Sequence, residues 1–234
     1  MTRRKHLKEL VRARMAKTGE RYAAARRHIV RETPNVDVTK GPGTHLTGNV
    51  PATTALRVLL TAAGIRAPHT NEPFTEAMLF GIAGGIGMGM FSFVYEKANF
   101  ASFYVAGRHD WANDVRYLTR ATQRLGAEAS VAEGVKSAAQ AIDAALGAGR
   151  PCIVWLDAAA LPYKAMPAML SGMASHVVVL YAVDEASRTA RIGDLTDELI
   201  EIPVSVLSAA RARIRKDKSR VLTVAAGNQS PLET

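Results

Sequence analysis

Val177 to Val183 reads Val-Val-Val-Leu-Tyr-Ala-Val, an almost wholly apolar run. A stretch this short and this rich in β-branched residues is a buried strand, too short for a core helix. Asp184-Glu185 turns the chain, and Thr189 to Asp194 reads as the hairpin partner of that strand. Pro151 to Leu156 is a second buried strand, and Leu199 to Ile202 adds an edge strand. Phe91 to Tyr95 and Ser102 to Val105 are strands on their aromatic and β-branched content. The helices lie mostly before the main strands. Pro51 to Ala63 carries Leu56, Leu59 and Leu60 on one face, with Gly64 just past its end. A shorter helix runs from Thr75, its N-cap, to Phe80, and Asn113–Leu125, Gly134–Leu146 and Val204–Ile214 follow. Helices first and strands later make an α+β domain, its N-terminal helices packed on an antiparallel sheet.

The charge divides the chain differently. Residues 1–33 hold eleven Lys/Arg against three Glu, so most of the formal charge of +9 sits there and the remainder is close to neutral. Leu7, Leu10, Val11, Ala13 and Met15 recur at helical spacing, Lys17-Thr18-Gly19 interrupts, and Glu20 to Arg31 is a second helix ending at Thr33-Pro34. Residues 1–34 therefore form a basic helical hairpin or arm, and residues 35–234 form the α+β domain, entered through the Gly/Pro-rich loop Asn35 to Asn49.

Two readings of the arm stand open. One is phosphate contact with nucleic acid, without sequence preference, through Arg3, Arg4, Lys5, Lys8, Arg12, Arg14, Arg26 and Arg27. The other is a solvated face on a hairpin that packs on the body or a second subunit through Leu7, Leu10, Val11 and Tyr22. The single cysteine, Cys152, cannot form an internal bridge and fits a reducing, cytoplasmic setting. The chain has no apolar run long enough for a membrane span and no secretory h-region. It also lacks a Cys/His cluster at zinc spacing, a Gly-Lys-Ser/Thr phosphate loop and a Gly-x-Ser-x-Gly elbow, so no metal or cofactor is expected.

Several segments taken in order resemble one family. They are Ala55-Leu56-Arg57-Val58-Leu59-Leu60, Thr75-Glu76-Ala77-Met78-Leu79-Phe80-Gly81 with Gly84-Gly85-Ile86-Gly87, Gly149-Arg150-Pro151-Cys152-Ile153-Val154 with Asp157 and Leu161-Pro162-Tyr163, and Ser175-His176-Val177-Val178-Val179-Leu180 leading to Ile192-Gly193-Asp194. Together, over roughly Thr44 to Ile202, they resemble the N-terminal domain of the butirosin biosynthesis protein H family. The resemblance implies a papain-like, C39-peptidase-like (cysteine-peptidase-like) fold. It also implies kinship with an enzyme that moves an acyl group from a carrier protein onto an aminoglycoside amine.

On that resemblance His176 is the base and Asp194 the group that orients it, as in papain-like chemistry. The family's His-Cys dipeptide at the helix start falls here on Val50-Pro51, so the expected nucleophile is missing and Pro51 holds its position. Cys152 lies on an apolar strand and reads as a small core hydrophobe. His45 is either a displaced substitute for the family histidine or an ordinary loop residue. Thr53 and Thr54 are either caps or part of a substrate-binding helix N-terminus whose backbone N–H groups would face an oxyanion. Glu76, Gly84 and Gly85 match family positions and on that resemblance are expected to bind substrate, the glycines by bringing backbone close to a ligand, and Asp157 and Tyr163 either line a pocket or close loop hydrogen bonds.

The functional expectation is an acyltransferase or amide hydrolase of papain-like type with an atypical site, acting on a small-molecule or acyl-carrier substrate. The alternative is a catalytically lapsed member, a pseudoenzyme that binds a small molecule or partner in the inherited cleft, nucleic-acid-associated through its arm. An oligomer formed through the arm belongs to the same set of expectations.

Overall fold

The computed structural model describes residues 46–85, 88–96, 99–107 and 114–227, together with Arg12, Met15, Ala16, Thr18 and Gly19. The chain divides into two units, Met1–Thr39 and Lys40–Thr234. In the first, Arg12, Met15, Ala16 and Thr18 are helical, and Gly19 takes φ +71 while its N–H closes on the Met15 carbonyl at 2.9 Å. That left-handed turn ends the first arm helix where the sequence reading ends it. The second arm helix lies outside the described residues.

The second unit is α+β. In chain order its elements are α1 (Pro51–Ala62), α2 (Glu76–Ile82), β1 (Met88–Tyr95), β2 (Phe100–Gly107), α3 (Asp114–Arg124), β3 (Ala127–Ala132), α4 (Val135–Gly147), β4 (Cys152–Asp157), β5 (Ser175–Asp184), β6 (Thr189–Gly193), β7 (Ile200–Pro203), α5 (Val204–Arg213) and β8 (Val221–Ala226). Strands β3-β8-β4-β5-β6-β7 form one sheet with antiparallel neighbours throughout, and β1 and β2 form a separate hairpin. Every strand and helix expected within residues 35–234 is present within a few residues, and β7 takes the sheet edge. Two strands were not expected. β3 and β8 pair with each other, and β8 lies between β3 and β4.

Alternation along the central strands sends their side chains into two cores. Ile153, Trp155, Val177, Val179, Tyr181 and Leu222 face α1 and α3, where they meet Leu56, Leu59, Leu60, Tyr117 and Leu118. Val154, Leu156, Val178, Leu180 and Ile192 face the other way, onto Ile142 and Ala145 of α4 and Leu207 and Ala210 of α5. The sheet is thus covered on both faces, which explains why β4 and β5 carry no polar alternation. Leu56, Trp155 and Leu180 are fully buried, and truncating one leucine to alanine costs about 2–5 kcal/mol.

Candidate active site

β5 starts at Ser175, and β6 returns antiparallel with Gly193 opposite Val179. This register carries Asp194, just past the end of β6, back beside His176 near the start of β5. His176 Nε2 lies 3.0 Å from Asp194 Oδ1. Asp194 Oδ1 also accepts the Leu195 N–H at 2.8 Å, while Oδ2 accepts the Tyr163 hydroxyl at 2.9 Å and the Lys164 ammonium at 2.8 Å. Tyr163 and Lys164 belong to a 3-10 turn, Pro162–Lys164, in the segment that joins β4 to β5. The Asp194 side chain is 1% exposed and that of His176 12%.

Burial pushes the Asp194 carboxyl up, but the His176 hydrogen bond and charge, the Lys164 ammonium and the Leu195 N–H together hold it well below the usual carboxylate range. The Tyr163 hydroxyl is pushed the other way, by burial first and then by the charge and hydrogen bond of Asp194. An ionised carboxylate only accepts hydrogen bonds, so His176 Nε2 must donate its proton to it. In the neutral imidazole Nδ1 is then left with its lone pair.

A second cluster gathers at the start of α1. Val50 is the N-cap and offers no side-chain bond, so the helix has no cap of its own. Glu76, at the first position of α2, supplies one. Its carboxylate accepts the Asn49 N–H at 2.9 Å, the Val50 N–H at 2.6 Å and the Thr54 hydroxyl at 2.9 Å. Burial raises this carboxyl, and those donors bring it below its ordinary value. Gly48 makes room, since a Cβ there would collide with Thr54 Oγ1 and the Glu76 carboxylate. Thr53 is fully buried, with its Oγ1 3.3 Å from the Tyr117 hydroxyl. The N–H groups of Asn49 and Val50 therefore face a carboxylate, and an anion brought to them would be repelled.

The two clusters meet at a crevice lined by Leu46, Pro51, Thr54, Ala55, Gly193, Asp194 and Leu195. His176 is not among the residues lining it; Asp194 is what links the pair to the start of α1. Asp157 is apart from both. Fully buried, it accepts the Ala159 N–H at 3.1 Å and the Gly172 N–H at 2.8 Å, which ties down the β4–β5 segment. Gly84 and Gly85 follow α2, and a side chain at Gly85 would strike the Phe80 ring. Cys152 is fully buried in β4, and burial pushes its thiol up to about 12, against a smaller lowering by Arg211. Among the described residues no His/Cys/Asp/Glu group could hold a metal ion. Arg12 is helical and exposed. The other arm residues singled out, Arg3, Arg4, Lys5, Lys8, Arg14, Arg26 and Arg27, lie outside the described residues, as does His45.

The profile of the family described as Butirosin biosynthesis protein H, N-terminal, matches residues 51–195, from Pro51 at the start of α1 through Leu195 beside Asp194. The chain belongs to that family. Three solved structures are similar at low identity. One is a double glycine motif protease from an AMS/PCAT transporter in complex with the leader peptide, 13% identical over 79% of this chain and 91% of that one, with a TM-score of 0.41. Another is a putative C39-like peptidase from Bacillus anthracis, 15% identical over 79% and 96%, with a TM-score of 0.49. The third is the peptidase domain of Streptococcus ComA, a bi-functional ABC transporter, 12% identical over 77% and 97%, with a TM-score of 0.39. No curated protein matches the chain.

Of the residues singled out in the sequence, Tyr163, His176 and Asp194 come together in this family member, and Thr54 joins Glu76. Lys164 was missed. Its signal was only its place next to Tyr163, and a lone lysine after Pro-Tyr says nothing of an aspartate thirty residues on. Among the described residues no helix is long and apolar enough to cross a membrane.

Proposed function

We propose that this chain is an acyltransferase or amide hydrolase in which His176 is the general base and Asp194 holds its orientation. The hydrogen bond of 3.0 Å between them carries this reading. Pro51 has no nucleophilic atom, Thr53 is buried, and the Thr54 hydroxyl donates to Glu76. Among the described residues at the start of α1 none offers a free nucleophilic atom, which supports the acceptor itself, an amine or water, as the attacking group, without an acyl-enzyme. The acceptor N–H or O–H gives its proton to His176 Nδ1 as its lone pair bonds to the acyl carbonyl carbon. The bond to the leaving sulfur or nitrogen then breaks, and the leaving group takes the proton from the imidazolium. The lone, buried cysteine favours a cytoplasmic setting for this chemistry.

The second reading, a lapsed member that binds without turnover, is favoured by one observation: Glu76 occupies the N–H groups that would otherwise receive an oxyanion. Small acyl thioesters incubated with an aminoglycoside amine acceptor separate the two. The enzyme reading expects turnover that falls about 100-fold or more in His176→Ala and Asp194→Ala. Saturable binding of the thioester with no turnover in wild type supports the lapsed reading and removes the enzyme one.

A further inference from the structure

A cavity of about 760 Å³ opens at the C-terminal ends of α1, α2 and α3, a size within the range of small-molecule sites. Ile65 follows α1, Met78 and Ile82 lie on α2, Leu125 follows α3, and Phe74 stands in the loop before α2. Each of these side chains belongs to the core or packs on it while it lines the cavity, so the floor is apolar. The loop that forms one wall is tied by its own backbone. The Ile65 N–H closes on the Leu60 carbonyl at 2.9 Å, Ala67 on Glu72 at 2.9 Å and Asn71 on Ala67 at 2.8 Å. The cavity shares no residue with the crevice beside Asp194. That crevice lies at the start of α1 and the cavity past its end, and a helix of 12 residues is about 18 Å long.

Arg66, His69 and Arg124 line the same cavity, and among the described residues no Asp or Glu does. The negative ends of three helix dipoles also meet here, which calls for positive charge. Much of that call is already answered. The N–H groups of Ile65, Gly85 and Gly126 close on carbonyls in the last turns of α1, α2 and α3, and Arg124 donates to the Ile82 carbonyl. Arg66 and His69 are exposed and take no hydrogen bond or ion pair among the described residues. An unpaired guanidinium beside an apolar floor fits a ligand of the opposite pattern, a hydrocarbon body ending in an anionic head. One free guanidinium balances a monoanion, and its planar fork pairs a carboxylate through two parallel N–H···O bonds. We infer that this cavity binds a medium-chain carboxylate, its chain on the apolar floor and its head on Arg66 with His69 beside it. The site stands independently of the chemistry assigned to His176.

Isothermal titration calorimetry of the full chain with octanoate at neutral pH tests this, with 1-octanol and octylammonium as controls of equal chain length. The expected result is one octanoate per chain with a dissociation constant below about 1 mM, and binding at least about 10-fold weaker for both controls. Arg66→Met should weaken octanoate about 10-fold and leave 1-octanol unchanged, with an unaltered far-ultraviolet circular dichroism spectrum. Met78→Glu, which sets a negative charge in the floor, repeats the test at a second position and should abolish octanoate binding. A wild-type chain that shows no saturable octanoate binding overturns the inference. So does equal affinity for octanoate and 1-octanol, or an octanoate affinity that both folded variants leave intact, because the carboxylate would then not be held at this cavity.

Discussion

Asp194 accepts a hydrogen bond from Tyr163 and an ion pair from Lys164 on one oxygen while its other oxygen faces His176 Nε2. A buried carboxylate with this many donors holds three elements in place: the turn after β4, the start of β5 and the end of β6. Asp194→Ala leaves a buried hydroxyl unpaired and frees an ammonium that can turn to solvent. It should lower stability by about 2–3 kcal/mol, read by urea denaturation at neutral pH. Because its folded value is depressed, this contribution is present above the ordinary value of 3.8 and is lost as pH falls through the lower folded value. The wild type should therefore lose stability below about pH 4 more steeply than Asp194→Ala does.

Glu76 is a helix cap supplied from another helix. Glu76→Ala should cost about 1–2 kcal/mol, and Glu76→Gln less, since an amide oxygen still accepts but carries no charge against the helix N-terminus. The depressed folded value gives the same sign as for Asp194: the gain is present above 4.5 and lost as pH falls below it. Denaturation of both variants at pH values above and below that point checks it.

How much of this was readable in advance follows from where each signal lies. The β5–β6 hairpin was legible because its pairing is local and its apolar run unbroken, and His176 and Asp194 came with it. β3, Ala-Glu-Ala-Ser-Val-Ala, alternates apolar with polar residues, but its apolar positions are mostly alanine and it has a single β-branched residue, so its local strand signal is weak. β8 has such a run, Val-Leu-Thr-Val, but its place between β3 and β4 depends on partners far along the chain. Glu76 was legible as a family position and not as the cap of α1. The clue was the absence of a capping side chain at Val50, which says that a partner is needed without saying which.

Cys152 should be inert. Its thiol is fully buried and held protonated up to about 12, so a thiol-specific reagent at pH 8 should react at the rate of global unfolding. Rapid labelling of the folded chain, with loss of activity, would make it a nucleophile instead.

The basic arm should hold whatever polyanion affinity the chain has. A chain beginning at Val36 should keep the circular dichroism of its α+β unit and lose binding to labelled duplex and single-stranded DNA. The intact chain's affinity should fall steeply with added salt, because each phosphate contact releases close to one counterion. Absence of binding by the intact chain at low salt leaves packing as the arm's role.

The orientation of the His176 ring can be read without knowing the substrate. In nitrogen-15 spectra of imidazole-labelled protein, the neutral His176 ring should carry its proton on Nε2, donated to Asp194, and leave Nδ1 bare. Asp194→Ala should mix the two tautomers. A neutral ring protonated on Nδ1 in the wild type would contradict the assignment, because His176 would then have no lone pair free of Asp194 with which to take a proton from the acceptor.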